Sequence, residues 1–241
     1  MPLPGGAASL LGRWRVESSS RVGSEIELTL GSGDLSYVSV GLKFYGSWRA
    51  AANGLFVAHL FAIGGEGAES AAVALPAWLE PTRCRRDGDG FVLIGDSGDV
   101  VTALSPIARS LEVSPPGSRA ATPLPPHLRP ATRQRLVGRW EPVEDRGRRP
   151  SRPFLSIFRD HAWSGSDGCN TTTGRWVADD EGSVLCASGM TTLAFCWGVP
   201  LPRWWARSAR AGFVGDELVL VDDGGVTLGQ LRRGDAPTSS R

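Results

Sequence analysis

Cysteine, histidine and lysine are scarce in this chain, and each scarcity removes a class of function. Four cysteines and three histidines occur in 241 residues. Cys169 and Cys196 stand 27 residues apart, which is no metal-ligand spacing, and His59, His127 and His161 form no pattern with them, so no zinc site is expected. Lys43 is the only lysine, and 26 basic residues against 25 acidic ones leave a net charge of +1. That balance gives no electrostatic argument for nucleic acid or for an anionic membrane surface. Long apolar runs are missing too: nothing approaches the roughly 18 residues of a membrane-crossing helix. The opening residues carry no basic group and are broken by Pro2, Pro4, Gly5 and Gly6, so they are not expected to act as an export signal, and a cytoplasmic location with mostly reduced cysteines is the expectation. There is no P-loop, dinucleotide fingerprint or Gly-x-Ser-x-Gly elbow, and neither a cofactor nor a catalytic residue is expected.

What the chain does have is glycine, proline and tryptophan. With 31 Gly, 17 Pro and few long helical runs, it reads as short strands joined by many turns. Nine Trp and 41 % hydrophobic residues suffice for packed cores. The strongest organising signal is an internal repeat. Leu10-Leu11-Gly12-Arg13-Trp14 returns as Leu136-Val137-Gly138-Arg139-Trp140, and Leu75-Pro76-Ala77-Trp78 as Leu201-Pro202-Arg203-Trp204, both at an offset of 126. Gly46-Ser47-Trp48 answers Gly174-Arg175-Trp176 at an offset of 128, the signature of a small change in loop length.

The repeat divides the chain into a first copy at 10–107 and a second at 136–233, with disordered ends at 1–9 and 234–241. The proline-rich segment 108–135 is expected to be an extended linker, unable to hold a helix or pair in a sheet. In the second copy strands are expected at 136–143, 154–158, 162–166, 175–178 and 184–187. A helix is expected over 201–211, with Pro202 in its first turn and Gly212 as its C-terminal glycine. A hairpin follows, turning at Asp223-Gly224-Gly225, whose counterpart turns at Asp96-Ser97-Gly98-Asp99. The fold class is therefore α+β, mostly β, with antiparallel strands. The repeated tryptophans Trp14/Trp140, Trp48/Trp176 and Trp78/Trp204 read as shared core. The unmatched Trp163, Trp197 and Trp205 read either as core or as the lining of an apolar surface.

Asp167-Gly168-Cys169-Asn170 has the composition of a turn: Asp and Asn bond nearby backbone, and Gly168 supplies a positive φ. Together with Thr191 through Cys196 and Leu136-Val137-Gly138-Arg139-Trp140, this stretch resembles the signature of the META domain family, also called HslJ-like, over roughly residues 135–233 and more faintly over the first half. The resemblance implies two META/HslJ-like domains, each an antiparallel sheet curved into an open barrel with one late helix. It also implies a turn braced near Cys196 and a pairing of Cys169 on oxidation, with Cys196 or Cys186 as the partner. The first copy has lost both motif cysteines and reads as degenerate.

The function expected from this resemblance is a non-enzymatic, stress-associated binding or interaction protein. Its expected partner is a protein segment or small apolar ligand, not nucleic acid, held near Trp163, Cys169, Cys196 and Trp197. The rival is a cytoplasmic thiol redox sensor using Cys169 and Cys196, and a blander reading makes both domains interaction spacers.

Overall fold

The computed structural model describes residues 10–18, 26–39, 41–65, 75–109, 121–145, 150–192, 194 and 199–235. The chain divides into two compact units, Met1–Ala120 and Ala121–Arg241. Secondary structure is mostly strand, in two antiparallel sheets.

In the first unit, β1 (Gly12–Ser18), β2 (Ile26–Leu30), β3 (Asp34–Ser39), β4 (Leu42–Ala50) and β5 (Phe56–Gly64) form a meander. A 3-10 turn at Ala77–Leu79 follows, then β6 (Arg83–Asp87), β7 (Gly90–Ile94) and β8 (Val100–Arg109). The sheet order is β5-β4-β3-β2-β1-β8-β7-β6.

The second unit begins with β9 (Arg129–Pro130) and the single-turn helix α1 (Arg133–Leu136). It continues through β10 (Gly138–Pro142), β11 (Phe154–Ile157), β12 (Ala162–Ser166), β13 (Thr171–Ala178) and β14 (Val184–Ser188). Helix α2 (Leu201–Arg207) leads into β15 (Arg210–Val214), β16 (Glu217–Val221) and β17 (Thr227–Arg233). Its order, β14-β13-β12-β11-β10-β17-β16-β15-β9, is that of the first unit with β9 added outside.

Each sheet curls until its two flanks touch at one corner. Leu55 bridges Arg83 in the first unit and Ser183 bridges Arg210 in the second. Around these bridges Cys84 N–H donates to the Gly54 carbonyl at 2.8 Å, and Ala211 N–H to that of Gly182, also at 2.8 Å. Gly54 and Gly182 have φ of 87° and 82°. A Cβ at Gly182 would stand 2.7 Å from the Ala211 carbonyl oxygen. Glycine is thus required twice over, by the left-handed φ and by the approach of the opposing strand.

Inside, the repeated tryptophans make repeated bonds. Trp14 Nε1 donates to the Leu10 carbonyl and Trp140 Nε1 to that of Leu136, both at 2.7 Å. Trp48 Nε1 reaches the Gly31 carbonyl and Trp176 Nε1 that of Phe158, both at 3.0 Å. A buried indole combines a large apolar area with a donor that must be satisfied, and here both needs are met at equivalent places. The pair Trp78/Trp204 departs from this. Trp78 is buried, whereas Trp204 is half-buried and Trp205 is the residue that enters the core of the second unit.

Three expectations need correction. First, the helix ends at Arg207 and not at 211: Ser208 takes ψ 139° and Ala209 N–H donates to the Val221 carbonyl. Residues 210–214 are needed as β15, and Gly212 lies within that strand, where a Cβ would meet the Leu128 Cβ at 2.9 Å. Among its described residues the first unit has a 3-10 turn, Ala77–Leu79, in place of a late helix.

Second, 108–135 is no uniform linker. Its start belongs to β8, while Leu124 and Leu128 pack on Val219 and Val221. Arg129 and Pro130 pair with Phe213 and Gly212; proline is tolerated because β9 is an edge strand. Third, β13 starts at Thr171, four residues before its expected start.

One residue ties α1 to the β11–β12 turn. His161 has φ 66°, the only positive value at a non-glycine among the described residues; the matching position in the first unit is Gly33, φ 134°. Arg133 Nη2 lies 2.8 Å from His161 Nε2, and His161 Nδ1 lies 2.9 Å from the Trp176 carbonyl oxygen. Because a guanidinium only donates, Nε2 is the acceptor and Nδ1 carries the proton. In denaturant unfolding followed by tryptophan fluorescence, His161→Ala is expected to cost more than His161→Gly, by about 1 kcal/mol, because alanine keeps the left-handed strain that glycine relieves. Equal losses would show that the backbone relaxes there.

Candidate functional site

The Asp167–Asn170 segment closes the β12–β13 hairpin, with Gly168 and Cys169 as its two central residues. Gly168 has φ 95°, which places a glycine at the first loop position, as tight hairpins prefer. Asp167 Oδ1 accepts from Cys169 N–H at 2.9 Å and Asn170 N–H at 2.7 Å, and Asp167 Oδ2 accepts from Asn170 Nδ2 at 3.1 Å. The carboxylate is therefore engaged in shaping the turn.

Asn170, 8 % exposed, ties the turn to the segment following β14. Its Nδ2 donates to the Ala194 carbonyl at 2.8 Å, and its Oδ1 accepts from Ala194 N–H at 2.6 Å and Thr192 Oγ1 at 3.1 Å. With the bond to Asp167 this uses both donors and both lone pairs of the amide, which fixes its orientation.

Cys169 is disulfide-bonded, whereas Cys84 and Cys186 are free and buried. Cys169 thus departs from the expectation of reduced cysteines. Cys196 and Trp197 lie outside the described residues. Burial pushes the Cys84 thiol up to about 12, so it is not a nucleophile near neutral pH.

Trp163 does not line a surface. It is 1 % exposed and donates Nε1 to the Ala187 carbonyl at 3.3 Å, and Trp205 is equally enclosed. β12 turns position 163 inward, so the indole fills the core in place of Leu35, which pairs with Gly46 as Trp163 does with Gly174.

A cleft of about 620 Å3 opens beside the turn. Among the described residues, Thr172 and Ser188 of the sheet line one side, with Asp167 and Asn170 at the hairpin end. Thr191, Thr192 and Ala194 form a second wall. Pro200, Pro202, Arg203 and Ala206, on and before α2, form the third. The cleft is mainly apolar, with Thr172 and Ser188 on its sheet side and the exposed Arg203 among its lining residues.

The first unit explains why this space is open. In hairpin register, Gly165 pairs with Thr172 as Tyr37 does with Phe44, and Gly174 with Ser188 as Gly46 does with Leu60. The first unit therefore has Tyr37, Phe44 and Leu60 where the second has Gly165, Thr172 and Ser188. Tyr37 and Phe44 stack with centroids 4.5 Å apart and planes 2° apart, and Trp78 meets Tyr37 edge-on at 5.0 Å. Burial holds the Tyr37 phenol up to about 12. The mouth of the first unit is filled by its own side chains. In the second unit Pro202 closes the Tyr37 place, its Cγ 3.3 Å from where a Cβ on Gly165 would stand, and the cleft opens at Thr172 and Ser188, where the first unit has Phe44 and Leu60.

Thr172, Ser188, Pro202 and Arg203 were not expected as site residues. The signal for Thr172 and Ser188 lies in the hairpin register, which the offset of 128 at Trp48 and Trp176 already carried. No helix among the described residues is long and apolar enough to cross a membrane, and none of their His, Cys, Asp and Glu side chains gather in threes to hold a metal. No protein-family model matches this chain, and no curated protein does.

Two outcomes follow. Asn170→Ala should cost about 2 kcal/mol by leaving the Ala194 groups unpaired, and hydrogen exchange at the Ala194 amide should speed up; unchanged exchange would remove Asn170 as the tie. Protein unfolded without reductant should titrate two thiols, and four after reduction, given four cysteines of which Cys84 and Cys186 are free.

Proposed function

We propose that this chain is a non-enzymatic binding protein of META/HslJ-like type, with the second unit as the binding domain and the first as its filled, degenerate counterpart. The observation that carries this reading is the exchange of Phe44 and Leu60 for Thr172 and Ser188, which line the cleft, at one place in two units of like topology. Filling a barrel mouth favours stability, because burial of large apolar groups does. Hollowing it and edging it with hydroxyls forgoes that gain, as a binding pocket does; about 620 Å3 lies within the range of small-ligand sites. A stress-associated role is what the family resemblance adds.

The bonded state of Cys169 supports a second reading. With Cys84 and Cys186 free, Cys196 is the remaining cysteine of the chain, and we infer that it is the partner. Disulfides persist in oxidising compartments and are transient and regulatory in reducing ones. A cytoplasmic location would accordingly make this pair a redox sensor. Trapping thiols at lysis separates the two: a mixture of states that shifts with oxidant supports the sensor, and a constant bonded state supports a structural clasp.

The test of the binding reading refills the cleft. Affinity capture from native extract, read by native mass spectrometry, is expected to retain a ligand on wild type that Thr172→Phe/Ser188→Leu loses while melting no earlier. Capture of the same material by both, or of nothing by either, removes the cleft from the function.

A further inference from the structure

We infer that the second unit binds a phosphate dianion, as inorganic phosphate or as a monoester, between Arg135 at the end of α1 and Arg233 at the end of β17. Neither residue lines the cleft, and the inference does not depend on it. Two aromatic rings meet at this place: Trp140 and Phe213 have centroids 5.9 Å apart. Each carries a guanidinium on its face. Arg233 Cζ stands 4.0 Å from the Trp140 centroid and Arg135 Cζ stands 3.8 Å from that of Phe213. A ring face attracts a cation, so two adjoining rings draw two like charges together. The Arg233 fork is fixed further, donating Nη1 to the Val137 carbonyl at 2.7 Å and Nη2 to that of Arg135 at 2.6 Å. Those bonds cap the single turn of α1, whose last carbonyls need donors. Capping accounts for Arg233 and leaves the Arg135 guanidinium unexplained.

What the pair lacks is a counter-charge. Among the described residues neither guanidinium forms an ion pair with a carboxylate. Residues 127–142 hold Arg129, Arg133, Arg135 and Arg139 against one acid, Glu141, which lies 3.7 Å from Arg139. Burial, and then the charge of Arg135, hold the Arg233 guanidinium below its usual value, as a cation crowded by another cation must be. The first unit has no such arrangement. Pro106 stands opposite Trp14 where Arg233 stands opposite Trp140, and Arg86 stands opposite Phe91 where Phe213 stands opposite Leu218. The offset of 126 puts Ser9 at the place of Arg135. One ring and both cations thus differ together, as parts of one site would. The rings cover guanidinium faces and leave N–H edges, of which Arg233 spends two of five on carbonyls. A dianion offsets both charges, and phosphate oxygens match the guanidinium fork.

The test titrates inorganic phosphate, methyl phosphate and dimethyl phosphate, a monoanion, into the full chain. Ionic strength is held constant and the pH mildly alkaline, where a monoester carries nearly two charges. Calorimetry reads the affinity, and NMR of arginine Nε–H and indole N–H groups reads the place. The expected result is that at least one dianion binds about tenfold or more tightly than dimethyl phosphate and shifts the Arg233 and Trp140 resonances. The tighter dianion names the source. Arg135→Gln, which keeps the carbonyl that Arg233 holds, should weaken that dianion by about tenfold, and Arg135→Lys should recover most of the loss. Arg152→Gln, an exposed change elsewhere on the unit, should alter binding by less than about twofold. Dimethyl phosphate binding as tightly as the dianions, equal binding by wild type and Arg135→Gln, an equal loss in Arg152→Gln, or no binding by either dianion at about 10 mM each overturns the inference. Should Arg135→Gln fail to fold, the preference for dianion over monoanion and the place of the NMR shifts decide the matter on wild type.

Discussion

The sheet of each unit must return on itself, and its two flanks meet through one bridging pair of residues, Leu55 with Arg83 in the first unit and Ser183 with Arg210 in the second. Gly54 and Gly182 both take a left-handed conformation there, and the backbone of Gly182 passes so close to the opposing strand that a side chain is excluded by contact as well. Everything beyond that corner follows from it. Because contact is confined to one point, the flanking strands diverge along their length. The divergence has to be filled, by a 3-10 turn and aromatic side chains in one unit and by α2 in the other.

The two units diverge where the frame is least constrained. Near the bottom, Trp14 and Trp140 donate to equivalent carbonyls at the same distance, because a buried indole has few ways to satisfy its N–H. At the mouth no such demand exists, and substitution is free to trade packing for volume. Phe44 gives way to threonine and Leu60 to serine, and both replacements line the cleft. Beside this opening Asn170 and the disulfide of Cys169 take over a task that interdigitated rings perform in the first unit, that of holding neighbouring segments in place. A network of four hydrogen bonds from one amide is a directional substitute for non-directional packing.

Much of the strand pattern was legible because inward-facing residues alternate and turns carry glycine, and the repeat was legible because indoles cannot easily be exchanged. What stayed hidden had physical causes. Trp204, Trp205, Ala206 and Ala209 follow a helical period, yet the chain turns at Ser208, since pairing with β16 outweighs local propensity. Pro130 concealed an edge strand, and Leu124 and Leu128 were too sparse among prolines to announce a core contact. Trp163 read as a surface candidate because it lacked a tryptophan partner, when its partner is Leu35. The cleft itself is a property of cross-strand pairs, and no single stretch of sequence contains both members of a pair.

The docking of β9 bears on how such a chain can be cut and joined. β15 would otherwise present a free row of backbone donors and acceptors, the kind of margin on which a foreign strand can grow. Arg129 and Pro130 cover part of it, and proline, lacking an N–H, ends the ladder there. The heritable unit of the second barrel is accordingly longer than its repeated sequence and reaches back into the proline-rich stretch. A recombination event that preserved only the repeat would deliver a barrel with an open seam.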